Sequence, residues 1–342
     1  MSTRALTLAL LGTLWLTLVG GACRGEPSRT DGPPPDAAYH QNGGTATAVS
    51  PANPTPFATP PSSGPEAIGD DVTPPIRTCP AEVLGPASPP VRLRETPPPA
   101  IVAAGAVVID GGSGTVLWGR DEHVPMQPAS ATKIITALIA IEQGNLEEVI
   151  SVDLEQRLLN RGTKMGLVTG DWFTLRDLLY GLMLPSGNDA AAVIANRFAG
   201  GEQPFAEMMN QRLCDLGLTD SVFINPSGLG RGEYSLASAY DLAQVTRAAM
   251  EYPAFRELVG ARSWVARGSR TLQMRNLNEL VGAFPGADGV KIGWTPAAGH
   301  TIVASATRNG HRVFVALLRT PNRAAESAAL LEWAFGTFGW SR

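Results

Sequence analysis

Two strand-rich segments lie far apart in the chain, with helical patterns between them. Residues 101–118 hold two apolar runs around a Gly-rich turn, and residues 301–318 hold two more around Asn309-Gly310, a strong hairpin signal. Helices are predicted over 130–143, over 175–198 with an interruption at 185–187, and over 323–335. This order predicts an α+β fold: one antiparallel sheet formed by N- and C-terminal strands, packed with helices, plus an inserted helical subdomain.

The residues before this region are unsuited to a packed core. Of the 28 prolines, 19 fall between Pro27 and Pro99, with few large apolar side chains among them. Such a segment cannot bury enough apolar area to offset its ordering entropy. We therefore predict a targeting segment over 1–22, a disordered Pro-rich tether over 23–98 and a globular domain over 99–342.

The first residues have the features of an export signal. Arg4 precedes an apolar run over 5–19, and the small residues 20–22 lead to Cys23. This order resembles a bacterial lipoprotein signal, in which the cysteine is lipidated, although such signals usually carry leucine at the position of Gly20. Lipidation of Cys23, cleaved secretion and an uncleaved signal anchor remain open. All three predict a domain outside the cytoplasm, in the cell envelope, and two of them a membrane anchor.

Charge and cysteine content bear on partners. The net charge of -4 gives no basic field, which argues against nucleic-acid binding. Cys79 of the predicted tether could pair with Cys214 outside the cell, and a free, buried Cys214 is the alternative.

Lysine is rare in this chain, which makes each lysine informative. Among 27 basic residues only Lys133, Lys164 and Lys291 are lysines. A buried lysine can lose its proton and act as a base, whereas arginine stays charged. Lys164 is interpreted as incidental.

Ser130 and Lys133 begin a strongly apolar predicted helix. Residues spaced in this way lie on one helical face. Desolvation is expected to lower the pKa of Lys133, so that it can take the proton of the serine hydroxyl and create a nucleophile. A capping serine beside a surface lysine is the alternative for this motif taken alone.

Two further motifs follow in order. Ser186-Gly187-Asn188 lies in the predicted helix break, where a hydroxyl and an amide can line a cleft, or form an ordinary turn. Lys291 and Gly293 lie on a predicted edge strand, which an extended peptide could join. Ser-x-x-Lys, Ser-x-Asn and Lys-x-Gly in this order form a known acyl-transfer signature.

From residue 101 to 318 the chain resembles the serine D-alanyl-D-alanine carboxypeptidases, the low-molecular-mass penicillin-binding proteins. The likeness extends beyond the motifs to residues 181–191, 223–229 and 285–291. It implies a β-lactamase/transpeptidase-like fold, with 99–342 as the catalytic domain. It also implies removal of the terminal D-alanine of peptidoglycan stem peptides and trapping by β-lactams, with no cofactor or metal.

The resemblance implies catalytic roles for three side chains. Ser130 forms the acyl-enzyme, Lys133 is its general base, and Ser186 relays a proton to the leaving D-alanine nitrogen.

The same resemblance implies a set of substrate-binding residues. Asn188 holds the substrate amide, and Lys291 supports the Ser186 network and the substrate carboxylate. Gly293 belongs to the edge strand that receives the peptide. The backbone N–H groups of Ser130 and Trp294 would bind the oxyanion.

One position departs from the family pattern. The family usually carries threonine where this chain has Ile292, and that hydroxyl is expected to bind the substrate carboxylate. Its loss costs about 1.5–3 kcal/mol, although Thr295 is a nearby candidate to compensate. A carboxypeptidase is favoured, and a D,D-endopeptidase acting on cross-links and a degenerate, non-catalytic peptidoglycan-binding protein remain alternatives.

Other hydrolase classes fit less well. A class A β-lactamase needs a deacylating glutamate that has no matching element here, and Gly-x-Ser-x-Gly and His-Glu-x-x-His motifs are missing from the sequence. Trp172 and Trp294 could line a cleft, but core packing is the expected fate of each.

Overall fold

The computed structural model describes residues 88–230 and 234–341. The predicted signal segment over 1–22, Cys23 and Cys79 lie outside the described residues. The strands are β1 (Val91–Arg92), β2 (Gly105–Asp110), β3 (Val116–Arg120), β4 (Val149–Ser151), β5 (Trp172–Thr174), β6 (Ser263–Arg267), β7 (Thr271–Arg275), β8 (Ala287–Thr295), β9 (Gly299–Arg308), β10 (His311–Thr320) and β11 (Phe338–Gly339). The helices are α1 (Lys133–Gln143), α2 (Gln156–Leu159), α3 (Leu175–Met183), α4 (Asn188–Ala199), α5 (Glu202–Asp215), α6 (Ala239–Ala249), α7 (Pro253–Gly260) and α8 (Arg323–Thr337).

A five-stranded antiparallel sheet unites the two ends of the domain. Its order is β3-β2-β10-β9-β8, with Val108 paired to Val315 and Val315 paired to Ala304. The predicted α+β architecture is therefore confirmed. Strand β8, which carries Lys291, lies at one edge of this sheet, as predicted.

The first long strand is shorter than its apolar run suggests. Residues from Ile101 onward were predicted as strand, but β2 begins at Gly105. The backbone N–H groups of Val102 and Ala103 instead donate to the carboxylate of Glu326, each over 3.1 Å. Because this acceptor lies on α8, the preceding backbone turns away from the neighbouring strand.

Both faces of the sheet are covered by apolar side chains. On one face Val108, Val315 and Leu317 pack with Leu330 and Leu331 of α8. The opposite face joins a larger cluster built around α1, α3, α4 and α6. Burial on both faces explains why β2 is apolar up to Ile109 and why the centre of β10 is apolar as well.

The helical subdomain contains the predicted interruption. Helix α3 begins after Thr174, whose hydroxyl accepts from the Asp177 N–H, and it ends at Met183. The Gly187 N–H donates to the Gly181 carbonyl over 2.8 Å, which closes the turn before α4. Ser186 adopts φ 64° within this turn. The break thus sets the start of α4, with Asn188, beside Lys133.

A small ribbon joins the start and the end of the described structure. Val91 pairs with Gly339 and Arg92 with Phe338, and the Trp333 indole N–H donates to the Thr96 carbonyl over 2.9 Å. Strand pairing therefore extends into residues that were assigned to the tether, as far back as Val91, although β1 itself is exposed.

Two observations concern anchoring and thiol chemistry. Within residues 88–230 and 234–341, no helix has the length and apolar character needed to cross a membrane. Cys214 is exposed on α5, so the prediction that a free Cys214 would be buried is wrong.

Candidate active site

Ser130 lies on a short 3₁₀ turn, Ala129–Thr132, rather than on the helix itself. The helix predicted from residue 130 begins at Lys133, and Ala129 has φ 47°. Two glycines let neighbouring chain segments approach this turn. A Cβ on Gly228 would overlap the Ala129 carbonyl, and one on Gly293 would lie 2.8 Å from the Ser130 nitrogen.

Lys133 is buried completely beside the serine. Its Nζ lies 3.0 Å from Ser130 Oγ, 2.6 Å from Asn188 Oδ1 and 2.8 Å from the Ser227 carbonyl oxygen. Burial holds the pKa of Lys133 well below 10.5, the positive charge of Lys291 lowers it further, and Asp189 partly opposes both. Burial, the largest of these causes, is the one that the sequence analysis expected to lower the pKa of Lys133.

Asn188 is fixed from two sides at the start of α4. Its Oδ1 accepts from Lys133, and its Nδ2 donates to the Arg161 carbonyl over 3.0 Å. The side chain is 7% exposed. The amide that was predicted to hold substrate is therefore part of the lysine's own hydrogen-bond network.

Ser186 is nearly buried, with 5% of its surface exposed. Its Oγ has no hydrogen-bond partner among the described residues, whereas its carbonyl accepts from Thr163 Oγ1 over 2.6 Å. A buried hydroxyl without a hydrogen-bond partner costs free energy. The unpaired Oγ of Ser186 is therefore suited to form a hydrogen bond with a bound ligand.

Lys291 reaches the site from β8 and is also buried. Its Nζ donates to the Ile292 carbonyl over 3.0 Å, and no bond to Ser186 is present in the described part of the chain. Burial lowers the pKa of Lys291 to about 7, with a further contribution from the positive charge of Arg323. The predicted link between Lys291 and Ser186 is thus not formed in this structure.

Ile292 is buried in the cluster between the sheet and α8, with 8% of its surface exposed. The candidate substitute hydroxyl, Thr295 Oγ1, accepts from the Ala298 N–H over 3.0 Å. Trp172 is 46% exposed and Trp294 57% exposed, so the expectation that both would pack in the core is wrong.

A cavity of about 470 Å³ opens at Ser130. Asn188 and Thr163 lie on one side of it, and the residues from Trp294 to Ala297 lie on another. Across the described residues, no group of three or more His, Cys, Asp or Glu side chains is placed to hold a metal ion.

Two supporting residues were not predicted from the sequence. Asp189 is fully buried and accepts from the N–H groups of Met165, Gly166 and Leu167 over 2.7–2.9 Å. The Ser227 carbonyl is the third contact of Lys133. An acidic residue in the first turn of α4 was the available signal for Asp189, but its partners lie in a distant loop.

The fold, with a serine and a buried lysine together at the edge of its sheet, places the chain among the serine acyl-transfer enzymes. Residues 92–322 match the D-alanyl-D-alanine carboxypeptidase family, and the chain belongs to that family. It is 35% identical over 237 residues to D-alanyl-D-alanine carboxypeptidase DacB2 of Mycobacterium tuberculosis, covering 67% of this chain and 81% of the relative. It is 32% identical over 258 residues to the D-alanyl-D-alanine carboxypeptidase of Streptomyces sp. strain K15, covering 69% and 88%.

Solved structures agree with this assignment. The Streptomyces K15 DD-transpeptidase superposes with a TM-score of 0.66 at 30% identity, covering 70% of this chain and 100% of that one. A D-alanyl-D-alanine carboxypeptidase from Mycobacterium tuberculosis superposes with a TM-score of 0.67 at 32% identity, covering 73% and 99%. The family and the fold class that the sequence motifs predicted are both confirmed.

Proposed function

We propose that this D-alanyl-D-alanine carboxypeptidase works through an acyl-enzyme on Ser130, with Lys133 as general base. The observation that carries the proposal is the 3.0 Å contact between Lys133 Nζ and Ser130 Oγ. A neutral amine has two N–H bonds, which match Asn188 Oδ1 and the Ser227 carbonyl. Its lone pair then faces Ser130 Oγ and can accept the hydroxyl proton.

The oxyanion would be held by the backbone N–H groups of Ser130 and Trp294. Support comes from the close approach of β8 to the serine, which requires a glycine at 293. Donors of this kind contribute roughly 3–4 kcal/mol each to transition-state stabilisation. Asn188 and the β8 edge would bind the acyl part of the peptide.

The reaction then proceeds by two acyl transfers. Ser130 Oγ bonds to the carbonyl carbon of the penultimate D-alanine, and the bond to the nitrogen of the terminal D-alanine breaks. The proton taken by Lys133 passes through Ser186 to that nitrogen. Water next attacks the ester, which releases the shortened peptide and returns a proton to Ser130. Lys291, when protonated, would attract the substrate carboxylate.

The proposed nucleophile can be tested by intact-mass analysis with a penicillin. The wild-type protein is expected to gain the mass of one drug molecule, and Ser130→Ala is expected to gain none. A folded wild type that stays unmodified would contradict the proposal. Family membership favours the carboxypeptidase over the cross-link endopeptidase and the non-catalytic wall-binding protein, and product analysis on a pentapeptide would distinguish the three.

We further propose that the chain acts in the cell envelope, held at the membrane by a lipid on Cys23. The order of charge, apolar run and small residues before Cys23 supports this proposal. Labelling cells with an alkyne fatty acid should tag the wild type and leave Cys23→Ala untagged. Equal labelling of both would exclude lipidation at Cys23, and a shortened, released chain would instead indicate cleaved secretion.

A further inference from the structure

A second, smaller cavity adjoins the one that opens at Ser130. It measures about 170 Å³, against about 470 Å³ for the larger cavity. Asn188 and Leu229 line both, so the two spaces lie on either side of these residues. The smaller cavity is therefore a direct neighbour of the space that a ligand at Ser130 would occupy.

The two cavities differ in chemistry. No charged side chain lines the larger one among the described residues, and its large side chains are Leu229, Tyr234 and Trp294. The smaller one is lined by the charged residues Arg161 and Glu202. A ligand group with an uncharged stem and a charged end would match this pair of cavities, with the stem in the larger one and the charged end in the smaller one.

Arg161 and Glu202 form a loose ion pair beside the smaller cavity. Their contact is a single one, 3.3 Å from Nη1 to Oε2, with the side chains 18% and 36% exposed. The pair between Arg212 and Glu142, by contrast, has two contacts of 2.9 and 2.6 Å. A guanidinium and a carboxylate held this loosely can each take a ligand group of opposite charge at small cost.

We propose that these cavities recognise the residue that precedes the two D-alanines of the substrate, and that this residue is a diamino acid ending in both an amino and a carboxyl group. This inference rests on the function proposed above. The methylene chain passes Leu229 in the larger cavity. The terminal carboxylate binds Arg161, and the terminal ammonium binds Glu202. A lysine side chain, which ends in an ammonium alone, would use Glu202 and leave Arg161 without a ligand.

The test compares two N-acetylated pentapeptides, with meso-diaminopimelate or lysine as the third residue. Arg161→Gln is expected to raise KM for the diaminopimelate peptide roughly 10- to 100-fold, since one charge-assisted contact is lost. KM for the lysine peptide should stay near the wild-type value, and kcat should change little for either. Glu202→Gln should raise KM for both peptides, because both carry the ammonium.

Matched variants separate recognition from folding. Arg197→Gln removes an arginine from another surface pair, with Glu148, and should change neither KM. Arg161→Lys keeps the positive charge and should retain most of the preference for the diaminopimelate peptide over the lysine peptide. This variant still tests the inference if Arg161→Gln folds poorly. Equal effects of Arg161→Gln on both peptides, or none, would overturn the inference. If the wild-type protein is not acylated by penicillin at all, that result would instead count against the proposed function.

Discussion

Lys133 Nζ lies 3.0 Å from Ser130 Oγ, although the two residues belong to different kinds of helix. Ser130 lies on the 3₁₀ turn, and Lys133 is the first residue of α1. Side chains three residues apart eclipse one another in a 3₁₀ turn, whereas they are offset in an α-helix. The tighter turn therefore brings the hydroxyl over the amine and sets the distance on which proton transfer depends.

Removal of Lys133 should abolish most acylation of Ser130. We expect Lys133→Ala to lower the rate of acylation by penicillin about 10²- to 10⁴-fold, the usual contribution of a general base. Lys164→Ala is the matched control, because Lys164 is exposed and its Nζ hydrogen-bonds to Asn160 Oδ1, away from Ser130. Time-resolved intact-mass analysis gives both rates, and equal rates for the two variants would refute the role of Lys133.

Lys291 should make the stability of the fold depend on pH. Its pKa is about 7 when folded against 10.5 in the unfolded reference, so between these values the unfolded chain binds more protons. The free energy of unfolding therefore rises with pH across this window, by on the order of 4 kcal/mol between pH 7 and 10. Below pH 7 both states are protonated and this contribution is constant.

Lys291→Met removes the titrating group at similar volume and isolates this effect. Urea unfolding of the wild type and the variant from pH 6 to 10 gives the two stability curves. We expect them to converge as pH rises from 7, because only the wild type gains stability there through this group. Parallel curves would show that Lys291 has an ordinary pKa.

A hydroxyl at position 292 should strengthen carboxylate binding. We expect Ile292→Thr to lower KM for a pentapeptide about ten-fold or more, since one hydrogen bond to a charged group is gained. Because Ile292 packs against the α8 cluster, the same change should lower stability by about 1–2 kcal/mol. A peptide with an amidated C-terminus is the control, and an equal gain for both peptides would contradict the assignment.

Gly228 should tolerate no side chain. It has φ +76°, and a Cβ there would overlap the Ala129 carbonyl next to the nucleophile. We expect Gly228→Ala to lower stability by about 3 kcal/mol or more and to block acylation. Gly170→Ala has a similar φ of +91° but open space around it, so it should cost only about 1–2 kcal/mol. Chemical denaturation compares the two, and similar costs would exclude the steric explanation.

Local signals in the sequence predicted the features that depend on neighbouring residues. Asn309 and Gly310 both have positive φ, at 51° and 82°, as a two-residue hairpin turn requires. The helix break at 185–187 and the edge position of Lys291 followed from similar short patterns. These features needed no knowledge of distant partners.

Features set by distant partners could not be predicted in the same way. Strand β2 starts late because Glu326, on the last helix, captures the preceding N–H groups. The contacts of Lys133 with Asn188 and Ser227 span 55 and 94 residues. The charged cavity at Arg161 and Glu202 likewise joins two separate segments, and neither residue belongs to a recognisable motif.

The position of β10 also determines when the domain can fold. This strand lies between β2 and β9, yet among the elements of the described residues only α8 and β11 follow it. Until residues 311–320 are available, β2 and β3 form only an isolated hairpin, and such pairs are marginally stable in water. Long-range pairing of this kind is also slow. The five-stranded sheet therefore cannot form while only the first half of the domain has been synthesised, because its central strand follows β2 by almost the whole length of the domain.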